Sequence, residues 1–369
     1  MIFLIGNSTS NYTVCFPIFI LEDTRALKFP YSMLQALEFV LTFVSFYYVI
    51  KCCYVAIHIK SFHRNLTVLL IILMIQWFEG LLSNILIKPY ETGFWPLGEH
   101  NTQLKQWWTK DYSKMIQVPN LSTFPNFFLG GFLKWHYILS MITTLLVMSI
   151  ERSFACYFLT DYEKKSRNGL FFMLVVGQTS TNLVMGYLFF FNAAHFAVGF
   201  SIILSTNIIA MGIFTYVKHV NRQVNRAIED FSNPSLYCLP ARFQVRENVR
   251  CFQMITKVIH AGLFLILTAC FVNLFMYLEL TPGLDPLLNL IFESAINLNP
   301  VVIVPTLLGS VNAWRNFTFS SGVCLGFKAQ VRLKIIKVSS VSIGNDGAKS
   351  DRTRKETDAY FDQLNSAWI

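Results

Sequence analysis

The chain is poor in charge. Only 14% of its 369 residues are Asp, Glu, Lys or Arg, against 54% that are hydrophobic, whereas a soluble domain carries about 25% charged residues. A water-soluble globular fold is thereby excluded for most of its length. Acidic residues are the scarcer sign, 21 against 30 basic, which leaves a net charge of +9. That excess does not describe a nucleic-acid binder. Lys and Arg sit mainly in short stretches beside apolar runs, where positive-inside sorting accounts for them, so no nucleic acid is expected as a partner.

Catalytic and metal-binding patterns are missing as well. There is no His-Glu-x-x-His, no paired-Asp helix of an intramembrane protease, and no ligand spacing among Cys and His. Glu, Asp and His are scattered without a shared helix face, so no catalytic residue, metal or cofactor is expected, and an enzyme is not. His136, His195 and His260 read as packing or interfacial residues. Of the eight Cys, Cys52, Cys53, Cys156, Cys251 and Cys270 fall in or beside apolar runs, and Cys238 and Cys324 lie on the basic side. Cys15 alone is on the opposite side, so no external disulfide is expected, and Cys15 is open to a free thiol or an intermolecular bond. Met1–Ile5 is too short for the apolar core of a signal peptide, so the first span is expected to serve as the insertion signal.

What the chain has is long apolar runs. A bilayer core of roughly 30 Å needs roughly 20 apolar residues of helix, at about 1.5 Å per residue. Seven runs meet this, near Met33–Ile57, Thr67–Ile87, Phe127–Ile150, Leu170–Phe191, Phe196–Val217, Val258–Leu278 and Leu287–Leu308. The expected fold is an all-α membrane protein, a seven-transmembrane helix bundle. Its parts are an external segment 1–32, a bundle 33–310 with an external loop 88–126 and a cytoplasmic loop 218–257, and a cytoplasmic tail 311–369.

Loop charge sets the orientation. Lys51, Lys60 and Arg64 flank the first turn, Arg152, Lys164, Lys165 and Arg167 the third, and Lys218 through Lys257 the fifth with seven basic residues named Lys218, Arg222, Arg226, Arg242, Arg246, Arg250 and Lys257. The turns at Asn192–His195 and Glu279–Pro286 contain no Lys or Arg. The amino end is therefore expected outside and the tail inside. Sequons at Asn7, Asn11 and Asn120 fall on the outer side and are glycosylation candidates, although Asn65 and Asn316 carry the same short pattern inside.

Several local features bear on function. Glu151-Arg152 ends the third run, where a carboxylate beside a guanidinium can form an ion pair that opens when a partner inserts; a positive-inside anchor reads the same residues more plainly. Asn297-Leu298-Asn299-Pro300 interrupts the seventh run, since Pro removes a backbone hydrogen bond and frees a carbonyl; this makes a hinge or a static kink. Val217, Val220, Val224 and Ile228 continue the fifth helix about three turns past the membrane. Arg242, Arg246 and Arg250 then form a basic stripe beside Val245, Val249 and Phe252, suited to lipid head groups or to a cytoplasmic protein.

Buried charge inside the runs needs a purpose. Glu38, Glu79 and Glu293 would each cost several kcal/mol facing lipid, so they should face the bundle, a wet cavity or a head-group region. Glu79 and Glu293 are candidates for a ligand cavity recognising a polar or cationic group, with interhelical hydrogen bonding as the other reading. Lys134 is expected to snorkel to the outer leaflet. Cys324, among Lys and aromatic residues suited to the inner leaflet, is a lipidation candidate.

The run Pro234-Ser235-Leu236-Tyr237 followed by Leu239 to Arg250, with Glu151-Arg152, Tyr157-Phe158, Asp161 to Lys164, Asn297 to Pro300 and Glu356 to Phe361, resembles the nematode serpentine receptors of class epsilon (Sre) over nearly the whole chain. The resemblance implies a chemosensory G-protein-coupled receptor of the plasma membrane, in sensory neurons and their cilia. It implies a heterotrimeric G protein and an external small-molecule or peptide ligand as partners, beside membrane lipid. By the same resemblance Glu151-Arg152 stands at the Asp/Glu-Arg-Tyr switch and Asn299-Pro300 at the Asn-Pro hinge of the wider superfamily. Ser153 and Ile303 replace the usual tyrosines, and the sixth run has no Pro. A ligand-gated channel or small-solute transporter is the alternative. A transporter is expected to break helices in two matching repeats, and the breaks here fall in the seventh run alone.

Overall fold

The computed structural model describes residues 1–7, 10–97, 111–112, 115–159, 168–193, 196–230, 239–278 and 283–320. Its helices are α1 (Tyr31–His58), α2 (Arg64–Ile75), α3 (Trp77–Glu91), α4 (Pro125–Tyr157), α5 (Asn168–Phe190), α6 (Phe196–Glu229), α7 (Leu239–Tyr277), α8 (Asp285–Asn297), α9 (Asn299–Ser310) and α10 (Asn312–Ser320). Six helical stretches among the described residues are long and apolar enough to cross a membrane: Tyr31–His58, Arg64–Glu91, Pro125–Tyr157, Gly169–Phe190, Ala241–Met276 and Pro286–Ser310. Two of these are paired helices, α2 with α3 and α8 with α9. The fifth expected run is occupied by α6, which continues to Glu229.

The surface explains why such a chain needs lipid. On α7, Leu263, Phe264, Ile266, Leu267, Phe271 and Leu274 are all exposed, an apolar patch far larger than soluble monomers tolerate. The inward faces carry polar residues instead. Gln178 and Asn182 of α5 bond Ser140 and Thr143 of α4 at 3.0–3.3 Å, side-chain pairing that holds helices together where no hydrophobic force acts between them.

The all-α expectation requires a correction. The amino-terminal segment forms a hairpin of β1 (Ile2–Asn7) and β2 (Ser10–Cys15), and β1 pairs in parallel with β3 (Ile116–Val118) in the order β2-β1-β3. The pairing joins segments more than a hundred residues apart, which periodicity in short runs does not reveal. The sheet is docked on α4. Trp135 donates from Nε1 to the Cys15 carbonyl at 2.7 Å, and the Phe16 ring stacks 4.5 Å from that of Phe127. Gly131 makes the approach possible, since a Cβ there would lie 2.5 Å from the Phe16 ring. Cys15 is a buried free thiol, and burial pushes its ionisation upward from the ordinary thiol range, which leaves no exposed thiolate for an intermolecular bond.

The loop expected to begin at Lys88 begins later. Pro89 sits inside α3, and the helix runs on to a buried Glu91.

Candidate functional site

At the end of the bundle opposite the sheet, α4 brings Glu151 and Arg152 inward, and both are buried. The guanidinium donates from Nη2 to Glu151 Oε1 at 2.6 Å and from Nε to Glu151 Oε2 at 2.5 Å, a bidentate pair. Its remaining edge crosses to α7, where Nη1 donates to Asn248 Oδ1 at 3.0 Å and to Cys251 Sγ at 3.4 Å. Asn248 in turn donates to Asn221 Oδ1 of α6 and to Cys156 Sγ of α4, each at 3.3 Å. One asparagine thus joins three helices around one arginine.

Glu247 extends this network to the α1–α2 turn. Its Oε1 accepts the His63 backbone N–H at 2.6 Å, while His63 Nδ1 accepts from Asn65 N at 3.3 Å and caps α2. Burial, and then the positive charge of Arg152, hold the His63 ring below the ordinary imidazole range, which suits a neutral acceptor.

Of the basic stripe, Arg250 is exposed and Arg242 and Arg246 are half-buried. The face turned inward is more polar than Val245, Val249 and Phe252 alone predict, because Gln244, Glu247 and Asn248 are buried with it.

The interruption expected at Asn297–Pro300 is real, and its loose ends are occupied. Leu298 separates α8 from α9. Pro300 has no N–H for the Ile296 carbonyl, which accepts instead from Asn299 Nδ2 at 2.7 Å and Tyr137 OH at 3.4 Å. The Val301 N–H turns to Leu298 O at 3.0 Å, and the Asn297 carbonyl is met by Trp77 Nε1 at 2.8 Å. Asn299 also donates to Tyr137 OH at 2.7 Å. Trp77→Phe keeps an aromatic ring, though a smaller one, and removes the donor. It is expected to destabilise by about 1–3 kcal/mol, the cost of one orphaned buried acceptor, read as a lower Tm of the solubilised protein.

Nearer the sheet, Lys134 does not snorkel. It is buried and donates to both oxygens of Glu293, at 2.8 and 2.7 Å, with Glu91 Oε1 at 3.6 Å. The reason is pairing: two carboxylates inside the bundle hold the ammonium better than a path to the surface does. Lys88 similarly holds Glu38 at 3.0 Å. Glu79 Oε1 lies 2.6 Å from His136 Nδ1. Glu79 and Glu293 are therefore each engaged with a side chain on α4.

Asn11 and Asn120 are exposed, and Asn120 Oδ1 accepts from Ser122 N at 3.3 Å; Asn7 ends β1. Cys324 lies outside the described residues.

A family model described as Sre G protein-coupled chemoreceptor matches residues 1–369. The chain belongs to the Sre family. Among its relatives in Caenorhabditis elegans, serpentine receptor class epsilon-38 is 29% identical over 99% of this chain and 100% of its own length. Class epsilon-37 is 26% identical over the whole of both chains, and class epsilon-29 is 28% identical over 96% of this chain and 97% of its own. No solved structure matches the chain. This Sre protein is thus a multi-pass membrane protein of a chemoreceptor family.

Asn248 and Glu247 are site residues that the Sre sequence alone does not single out, and Lys134 is one that it places at the leaflet rather than in the bundle. A signal existed for the first two. Gln244, Glu247 and Asn248 recur at the i, i+3, i+4 spacing of one helix face.

Proposed function

We propose that this Sre chain is a seven-span chemosensory receptor of the plasma membrane that converts binding of an external small-molecule or peptide ligand into G-protein coupling. In this reading α6 is the remaining crossing, the sheet and amino end are outside, and the tail is cytoplasmic. The uneven loop charges and the family support it, and the resemblance extends to sensory-neuron cilia.

The observation that carries the proposal is the Arg152–Asn248 bond. A buried arginine at the inner end of the third crossing is tied to the sixth, so any outward movement of α7 must break that tie and uncover a guanidinium. The exposed side of α7 carries Arg250 nearby, and Arg242 and Arg246 share its stripe, so the same movement uncovers the guanidinium beside a basic surface. At the opposite end Glu293 on α8 is bonded to α4, and the break at Leu298 lets α8 and α9 reorient separately. A ligand that disturbs the sheet end then has a path to Arg152.

The test is activation by a ligand panel in cells carrying a promiscuous G protein, comparing wild type with Arg152→Ala at matched surface expression. Loss of the response in Arg152→Ala is expected. A current or uptake signal that persists in cells without any G protein overturns the receptor reading in favour of a channel or transporter.

A further inference from the structure

The cluster at the sheet end is short of positive charge. Among the described residues, Glu38, Glu91 and Glu293 are three buried carboxylates, and Lys88 and Lys134 are the two ammonium groups that serve them. Asp23 adds no imbalance, since Arg25 pairs with it at 2.8 Å. The amino group of Met1 is directed to the carbonyls of Phe16 and Ile18.

The cluster is also short of donors. Glu91 is 5% exposed, and its Oε2 is buried without a hydrogen-bond partner among the described residues; the same holds for Glu38 Oε1 and for Asn289 Oδ1. Glu91 and Asn289 line a cavity of about 20 Å³ together with Lys88, whose Nζ is committed to the other oxygen of Glu38. That volume holds about one water-sized group. Unsatisfied buried acceptors of this kind need an explanation, and each costs free energy comparable to a lost hydrogen bond.

We propose that this cavity receives a primary ammonium group, seated on Glu91 and Asn289, as the recognition element for the external ligand. A water molecule supplies donors and leaves the charge uncorrected. A hard divalent cation takes six or more oxygens, whereas a primary ammonium brings one charge and three N–H donors, enough for the two unpartnered acceptors that line the cavity and for one uncompensated carboxylate. Ile20, Gln35 and Pro286 also line the cavity and offer apolar and amide contacts to the remainder of an amine ligand. The inference rests on the receptor reading and gives its ligand a chemical class.

The experiment is thermal unfolding of the full chain in nanodiscs, in an amine-free buffer, with n-butylammonium as the probe. At tenfold over its Kd, n-butylammonium is expected to raise the Tm of the wild type by about 2–4 °C. Glu91→Gln removes the shift and Asn289→Leu weakens it. Butyltrimethylammonium, which has no N–H and a head too large for the cavity, gives none, nor does sodium chloride at equal ionic strength. No shift in the wild type overturns the proposal, and so does an equal shift with sodium or with n-butanol. The Tm without probe shows whether Glu91→Gln folds; if it does not, Asn289→Leu carries the test. Signalling plays no part in this readout. Binding with no G-protein response sinks the receptor reading and leaves the site, and a response with no binding does the reverse.

Discussion

Lys134→Met is expected to be the most damaging single change in the bundle, lowering stability by about 3–5 kcal/mol and surface expression with it. Lys134 serves two carboxylates, Glu293 at 2.7 Å and Glu91 at 3.6 Å, and Glu293 is wholly buried. Without the ammonium, Glu293 keeps only Asn297 Nδ2 at 3.4 Å among its described donors. Glu293→Leu should cost less, because Lys134 can fall back on Glu91. The double replacement, Lys134→Met with Glu293→Leu, should recover part of the loss, since removing both members of a buried pair avoids a stranded charge. Recovery stays incomplete while Glu91 lacks its cation. Thermal unfolding of the four proteins closes the cycle. Strict additivity of the two single losses overturns the account.

The asymmetry also shows what a linear sequence conceals. The apolar runs place α1 and α5 within a few residues of their ends and the start of α4 within two, and the helical spacing of Val217, Val220, Val224 and Ile228 finds the extension of α6 to Glu229, because these depend on composition and periodicity alone. The break at Leu298 is equally legible, since Pro300 dictates it locally. Lys134 is another matter. Whether a lysine near a helix end snorkels or stays inside depends on what faces it, and its partner lies 159 residues away. The β1–β3 pairing fails to show for the same reason: three residues, Ile116–Val118, alternate no more clearly than any loop, and their partner strand is more than a hundred residues away in the chain. Glu151-Arg152 was visible as a pair, yet the atom that makes it a tether, Asn248 Oδ1, belongs to another helix.

Asn248→Leu tests that tether. Leucine fills nearly the same volume and offers Arg152 no acceptor, so α4 and α7 lose the shorter of their two charged hydrogen bonds, keeping the contact with Cys251 Sγ at 3.4 Å, while the Glu151–Arg152 pair persists. A hydrogen bond to a charged group contributes about 1.5–3 kcal/mol. If an open form with α7 displaced is populated at about 1%, loss of that amount from the closed form raises it to about 10–60%. The expected result is ligand-independent G-protein activation, measured as nucleotide exchange at matched surface expression. Gln244→Leu supplies the control. Gln244 donates to the same Asn248 oxygen at 3.2 Å and is just as buried, but its removal leaves the Arg152 bond in place, so basal activity should stay near that of the wild type. Basal activity unchanged in Asn248→Leu, or raised equally by Gln244→Leu, means that the network is a packing feature and that Arg152 is held closed by something other than α7.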